Sequence, residues 1–367
     1  MRRLSSVTTQ RRWLAIGAAL LLAMIVLGGT VRLTESGLSI TEWAPILGTL
    51  PPLSAADWDR AFSLYQASPQ FRLVNSGMDL EGFKLIFWPE YLHRLLGRVI
   101  GLWFSLPLAW FAWRRMIDRR LFRGILLLIG LGGLQGLVGW LMVQSGLVDA
   151  PRVSHLRLTV HLGMGLLLFA ATVWLALSLE RGSALPVHGL RKHTGLLTAL
   201  VFTVILSGGL VAGLRAGHAF PTFPLMAGAW VPDGLLSLSP AYTNLFFNSL
   251  TVMFQHRVLA LITVGVAWAL GWRAQRAAIS AEARRAAWWV AGLATVQVGL
   301  GIATVLLHVP VLLGALHQGN AALLLASTLV LHRALRWSGP LDRIYAASHP
   351  RGAEYTGDRR WLPHVRP

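Results

Sequence analysis

No cysteine occurs in the 367 residues of the chain. That excludes disulfides, thiolate metal sites and thioether-linked haem, and it leaves no mark of a redox compartment. Charge is scarce as well: Asp, Glu, Lys and Arg make up 13% of the residues, against 54% hydrophobic ones. With a mean hydropathy of +0.56, this composition excludes a soluble globular domain and defines a polytopic membrane protein. The soft donors left for a metal are 12 histidines and 8 methionines. Acidic residues are the scarcer sign, 15 against 33 Lys and Arg, for a net charge of +18. Such an excess also marks nucleic-acid binders, so its distribution decides what it means.

Apolar runs predict eight spanning helices, at about 13–33, 92–113, 122–143, 157–179, 195–214, 252–272, 286–307 and 315–335. Each is close to the roughly 20 residues that a bilayer crossing requires. The first run follows Arg2, Arg3, Arg11 and Arg12 in the manner of a signal peptide. No small-x-small cleavage site follows it, so it is expected to be a span. Two long loops, 34–89 and 215–251, lie on one side. The first carries Pro51-Pro52 and many aromatics and is expected to form short amphipathic helices on the membrane surface. The polar tail after Trp337 is expected to be poorly ordered. The N-terminus, the 114–123, 180–193 and 273–285 loops and the residues after Leu331 hold 23 Lys and Arg against 6 acids; the other side holds 10 against 9. This is the positive-inside pattern, with both termini cytoplasmic, and it assigns the basic charge to topology rather than to nucleic acid.

The chain repeats. Gly28-Gly29 corresponds to Gly208-Gly209, His93-Arg94 to His256-Arg257, Gln135-Gly136-Leu137-Val138-Gly139 to Gln297-Val298-Gly299-Leu300-Gly301, and His161-Leu162-Gly163 to His317-Gln318-Gly319, at offsets of 180, 163, 162 and 156. Four spans followed by four in the same orientation predict an all-α fold of two tandem pseudo-symmetric four-helix bundles. The halves are 1–180 and 194–337, joined by a cytoplasmic linker at 181–193 and followed by a tail at 338–367.

His93, His161, His256 and His317 each lie in the first turns of an even-numbered span, and so at one depth near the outer surface. Each half supplies two, on its second and fourth spans. Two imidazoles facing across a four-helix bundle can ligate a haem iron at both axial positions. The residue four on from each, one turn deeper, is small: Gly97, Gly165, Ala260 or Ala321. A lone histidine at a membrane helix end is ordinarily just an interfacial polar residue; the repeated placement of four is what points to ligation. His155 and His308 are at similar depth without repeat partners. His188, His193, His218, His332, His349 and His364 have the plainer reading. Arg32, Arg94, Arg98, Arg157, Arg215 and Arg257 lie where they can meet the propionates of a porphyrin; interfacial snorkelling is the competing role.

The halves differ at one position. Glu90 precedes His93 by three, where Met253 precedes His256. Glu90, His93 and Arg94 share a helix face, and an ionisable cluster at a membrane helix is costly enough to imply function. The asymmetry assigns chemistry to the N-terminal half and a permanent electron-transfer haem to the C-terminal half. A simple helix N-terminal pairing of Glu90 with Arg94 is the alternative.

These stretches, together with Gly28 to Ser39, Glu90-Tyr91-Leu92-His93-Arg94, Pro151-Arg152-Val153-Ser154, Gly208 to Leu214 and Phe254-Gln255-His256-Arg257, resemble the haem A synthase family. The likeness is to its cysteine-free branch, shared by alphaproteobacteria and mitochondria, and it covers all eight spans. The resemblance implies oxidation of the C8 methyl of haem O to the formyl group of haem A, by two hydroxylations and loss of water, for cytochrome oxidase assembly. It implies that His93 and His161 hold the substrate iron, with Glu90 essential, and that His256 and His317 ligate a resident haem b. Arg94 and Arg257 would contact the porphyrins. It further implies a bacterial inner-membrane location with haem sites toward the periplasm. A haem O-producing farnesyltransferase is the expected partner, and a homo-oligomer is compatible with the sequence.

Two other readings remain. A di-haem cytochrome b of the quinol-linked kind explains four histidines but leaves Glu90 idle. A repeat-built transporter predicts broken helices and mid-membrane polar residues, which the sequence does not show.

Overall fold

The computed structural model describes residues 2–44, 47–148, 150–179 and 189–335. Most of the linker and the tail, with His188, His349 and His364, lie outside the described residues. In chain order the helices are α1 (Arg2–Leu33), α2 (Ala55–Gln66), α3 (Pro69–Leu73), α4 (Leu80–Trp113), α5 (Arg119–Gln144), α6 (His155–Ser178), α7 (Leu190–Gly213), α8 (Ala216–Ala219), α9 (Asn244–Phe247), α10 (Ser249–Arg276), α11 (Ala281–Leu306) and α12 (Val311–Ala334). Eight of them, α1, α4, α5, α6, α7, α10, α11 and α12, are long and apolar enough to cross a membrane. No strand occurs among the described residues, where pairing is limited to one isolated bridge, Met226 to Ala229.

Helix starts follow local chemistry. Asp79, Asp118, Ser154, Asn248 and Ser280 cap α4, α5, α6, α10 and α11 by accepting hydrogen bonds from first-turn N–H groups. Ser54 and Asp57 form a reciprocal capping box on α2. Helices α1, α4, α5 and α6 each pack on the next, and α6 returns to α1. Helices α7, α10, α11 and α12 close a second ring in the same way, and α6 to α7, α1 to α12 and α6 to α12 join the two rings. One buried core runs through both, with Leu14, Ile125, Leu166, Leu197 and Leu325 almost wholly enclosed.

Proline inside a span leaves a carbonyl without its helical donor. Pro107 does this to Trp103, whose carbonyl instead accepts from Trp13 Nε1 at 2.9 Å; Trp103 Nε1 donates back to the Trp13 carbonyl at 3.2 Å. The reciprocal pair fastens α1 to α4.

The second span begins earlier than its apolar run. Helix α4 starts at Leu80, so His93 is 13 residues into its helix, whereas His161, His256 and His317 are 6 or 7 into theirs. Glu90 is therefore in mid-helix rather than at the point where a loop enters it, and Pro89 is internal. At 34 residues α4 is roughly 50 Å long, more than the roughly 30 Å hydrocarbon layer needs. Its extra turns are covered by α2: Trp58, Phe62 and Tyr65 pack on Phe83 and Phe87, with Tyr65 and Phe83 stacked at 5.3 Å. The short loop helices thus dock on α4.

Candidate functional site

The four repeat histidines line one continuous cavity of about 890 Å³, at the end where α4, α6, α10 and α12 carry them. Each imidazole rests on a glycine of the preceding span. A Cβ on Gly28 would meet His93 Nε2 at 3.1 Å; one on Gly139, Gly208 or Gly301 would meet Cε1 of His161, His256 or His317 at 2.8, 3.2 or 3.0 Å. Those glycines belong to the repeated Gly-Gly and Gln-x-x-x-Gly motifs. Sequence reasoning finds the motifs but not their task. Any side chain there would push the ring from its place. Gly97, Gly165, Ala260 and Ala321, one turn deeper, also line the cavity.

In the C-terminal ring His256 and His317 face each other, with ring centroids 6.5 Å apart and planes at 73°. Metal to imidazole-nitrogen bonds of about 2 Å, plus about 1 Å from nitrogen to centroid on each side, span roughly 6 Å, so the pair fits one shared metal. No such ring contact joins His93 to His161 among the described residues. Nor, among them, does any group of three or more His, Asp or Glu converge as a bare metal ion would require. Two opposed imidazoles suit a metal that arrives with its equatorial ligands, as in a porphyrin.

Glu90 is buried and lines the same cavity. Arg94 Nε donates to its Oε1 at 2.6 Å. The same guanidinium donates to the carbonyls of Ile40 at 2.7 Å and Glu42 at 3.0 Å, tying the first loop to α4. Arg257, its repeat partner, donates to the carbonyls of Phe220 and Leu225 at 3.0 and 3.5 Å, tying the second loop to α10. Both arginines line the cavity, as do Arg32, Arg98 and Arg215. Arg157 stands apart, donating to the Leu141 carbonyl at 2.6 Å, whereas Arg152, which sequence reasoning passed over, lines the cavity.

Beyond the ends of α1 and α7, Glu35 and Arg215 occupy equivalent places, both left-handed with φ of 55° and 56°. They bond to each other at 2.7 Å across the two rings. Arg32 donates to the Ala212 carbonyl at 2.5 Å beside them. His218 lines the cavity from α8; burial foremost, then Arg215, holds it below the ordinary imidazole range. His155 packs edge-on to Phe247, and His332 accepts from Arg191 Nε at 2.9 Å, both away from the four-histidine set.

Fold and site together define a multi-pass α-helical membrane protein built around paired imidazoles and one buried carboxylate. The chain belongs to the COX15-CtaA family of cytochrome oxidase assembly proteins, whose model matches residues 11–329. Among its relatives, the heme A synthase of Nitrosospira multiformis is 48% identical over 330 residues, 88% of this chain and 92% of that protein. That of Nitrosomonas eutropha is 46% identical over the same shares. That of Rhodopseudomonas palustris is 47% identical over 352 residues, 95% of this chain and 96% of that protein.

Proposed function

We propose that this protein is a haem A synthase that oxidises the C8 methyl of haem O to a formyl group by two successive hydroxylations and loss of water. The observation that carries the assignment to halves is the asymmetry at one position: two imidazole pairs share a cavity, and only one has a carboxylate, Glu90, three residues before its histidine. His93 and His161 hold the substrate by its iron. Arg94 fixes Glu90 Oε1, which leaves Oε2 as the acceptor for a proton released as the methyl is oxidised. His256 and His317 would hold haem b, which would supply one-electron transfer. Arg94 and Arg257, at the loop-facing edge of the cavity, meet propionates with N–H groups left over from their loop bonds.

The space in each half supports the division. A Cβ on Gly101, Gly132, Gly133 or Gly136 would meet nothing within 4 Å. The equivalent positions in the other half are Val264, Ala294, Thr295 and Val298, and Thr295 there accepts from Trp268 Nε1 at 2.9 Å. The roomier half takes the bulkier porphyrin. The two rings are tandem four-helix units of residues 1–180 and 194–337. The protein lies in the bacterial inner membrane, with both termini cytoplasmic and the cavity toward the periplasm. A farnesyltransferase that makes haem O is the natural donor of substrate.

The test is to co-express the full chain with a source of haem O and to identify extracted haems by chromatography and mass spectrometry. Haem A is the expected product. Unchanged haem O would replace this reading with the di-haem electron-transfer protein.

A further inference from the structure

The two histidine pairs are not held alike. His256 Nδ1 lies 2.7 Å from Ser207 Oγ, and that hydroxyl is itself 2.7 Å from the Val204 carbonyl. With its proton committed to the carbonyl, Ser207 accepts from Nδ1–H. The tautomer is then fixed, and the Nε2 lone pair faces the cavity. Ser207 is 6% exposed, so no water competes for the ring. His317 is held differently. Gln297 Nε2 sits 3.2 Å from both of its ring nitrogens. Gln297 is in turn fixed by Asn320, whose Nδ2 donates to Gln297 Oε1 at 2.8 Å and to the Leu293 carbonyl at 3.0 Å.

The N-terminal half holds its histidines by fewer and longer bonds. By the Gly-Gly register Ser207 corresponds to Leu27, which has no hydroxyl; by the histidine register Asn320 corresponds to Met164. Gln135 matches Gln297, yet its Nε2 donates to the His161 backbone carbonyl at 2.8 Å and reaches the ring only at 3.5 Å, on Nε2. Without an Asn320 to hold it, Gln135 Oε1 is a buried acceptor with no partner, and His161 Nδ1 is likewise unpartnered. His93 makes no hydrogen bond among the described residues.

We infer that Ser207, and Gln297 fixed by Asn320, are positioning residues that hold His256 and His317 for permanent coordination, and that the lack of a counterpart to Ser207 or Asn320 around His93 and His161 lets that pair release its porphyrin. The inference rests on the haem assignment above. Its physical basis is general: an acceptor on the far N–H, as Ser207 is for His256, fixes ring orientation and strengthens the imidazole as an electron donor, and losing it typically weakens metal binding by about 10- to 100-fold, whereas the Gln297 amide, a donor, fixes only the place of the His317 ring. A site that must discharge product every cycle is served by the weaker holding. A site that carries electrons between turnovers is served by the stronger.

The test uses full-length protein purified with its haem b. The readouts are the haem midpoint potential, the low-spin electron paramagnetic resonance signal and the rate of haem transfer to excess apomyoglobin. Ser207→Ala is expected to keep the low-spin haem, raise its potential and speed transfer by at least about tenfold. Ser207→Thr, which keeps the hydroxyl, is expected to restore both values. Should Ser207→Ala not accumulate, Asn320→Met reports on the same shell through the same readouts. In the other half, Leu27→Ser is expected to slow transfer of haem O out of the protein. Wild-type potential and transfer rate in Ser207→Ala, or in Asn320→Met where that variant stands in for it, overturn the inference and leave the haem assignment standing. Wild-type protein without a bis-imidazole signal overturns the assignment and the inference with it.

Discussion

Arg94 joins Glu90 to the first outer loop: one guanidinium bonds the carboxylate at 2.6 Å and the backbone of Ile40 and Glu42 at 2.7 and 3.0 Å. Glu90 has a side chain only 6% exposed, so its partner cannot be replaced by water. Removing one member of such a pair leaves an uncompensated buried charge. Arg94→Ala should therefore cost about 3 kcal/mol, read as a lower thermal unfolding midpoint in detergent, with faster proteolysis in the 34–79 loop. Unchanged values for both would show that the loop is held by other contacts.

Glu90→Ala should behave otherwise. On the proposed assignment it removes the acid of the substrate half while the C-terminal pair is untouched, so the haem b spectrum should persist and haem A formation should stop. Normal haem A from this variant would remove Glu90 from the chemistry.

The histidines divide in the same way. His256→Ala or His317→Ala should abolish the low-spin haem b spectrum. His93→Ala or His161→Ala should retain it while halting conversion of haem O. A haem b spectrum that survives both C-terminal substitutions would mean that the iron is held elsewhere.

The glycine seats give a prediction without touching a ligand. Gly301→Val places a branched side chain where even a Cβ would lie 3.0 Å from the His317 ring. Overpacking of this kind costs about 1–3 kcal/mol and displaces the ring. Reduced haem b content, seen in the absorption spectrum, is expected. Gly139→Val should spare haem b and impair only conversion. Equal loss from both variants would show a general folding defect instead.

Glu35 and Arg215 have side chains 27% and 36% exposed, so their ion pair is screened. A double-mutant cycle with Glu35→Gln and Arg215→Gln should return a coupling of about 0.2–1 kcal/mol in thermal unfolding. Zero coupling would show that the two rings are held by their other contacts, the packing of α1 on α12 and α6 on α7 among them.

Much of this architecture is visible in the sequence because membrane solvation leaves few options. Apolar runs of bilayer length give the eight spans, and the four histidines at repeating offsets mark the cavity they share. The early start of α4 is hidden because residues 80–91 contain Glu81, Lys84, Pro89 and Glu90, and a proline beside an acid usually opens a helix. Those turns are stabilised by the aromatics of α2, a tertiary contact invisible to periodicity. The partners of Arg94 and Arg257 are hidden for a related reason: they are backbone carbonyls of loops, which leave no trace in residue identity. Ser207 and Asn320 were equally unreadable, since a serine or asparagine in a span ordinarily bonds its own helix.

The contact between Glu35 and Arg215 has a further consequence. The two residues sit at matching positions with matching backbone angles, so in an assembly of two identical halves each would face its own copy. Acid would meet acid, or base meet base, and the contact would repel. Carrying both halves on one polypeptide lets the two copies diverge and take opposite signs. The same freedom permits a carboxylate at residue 90 and a methionine at residue 253. A symmetric dimer would have to duplicate every specialisation; a single chain can give each half its own trade.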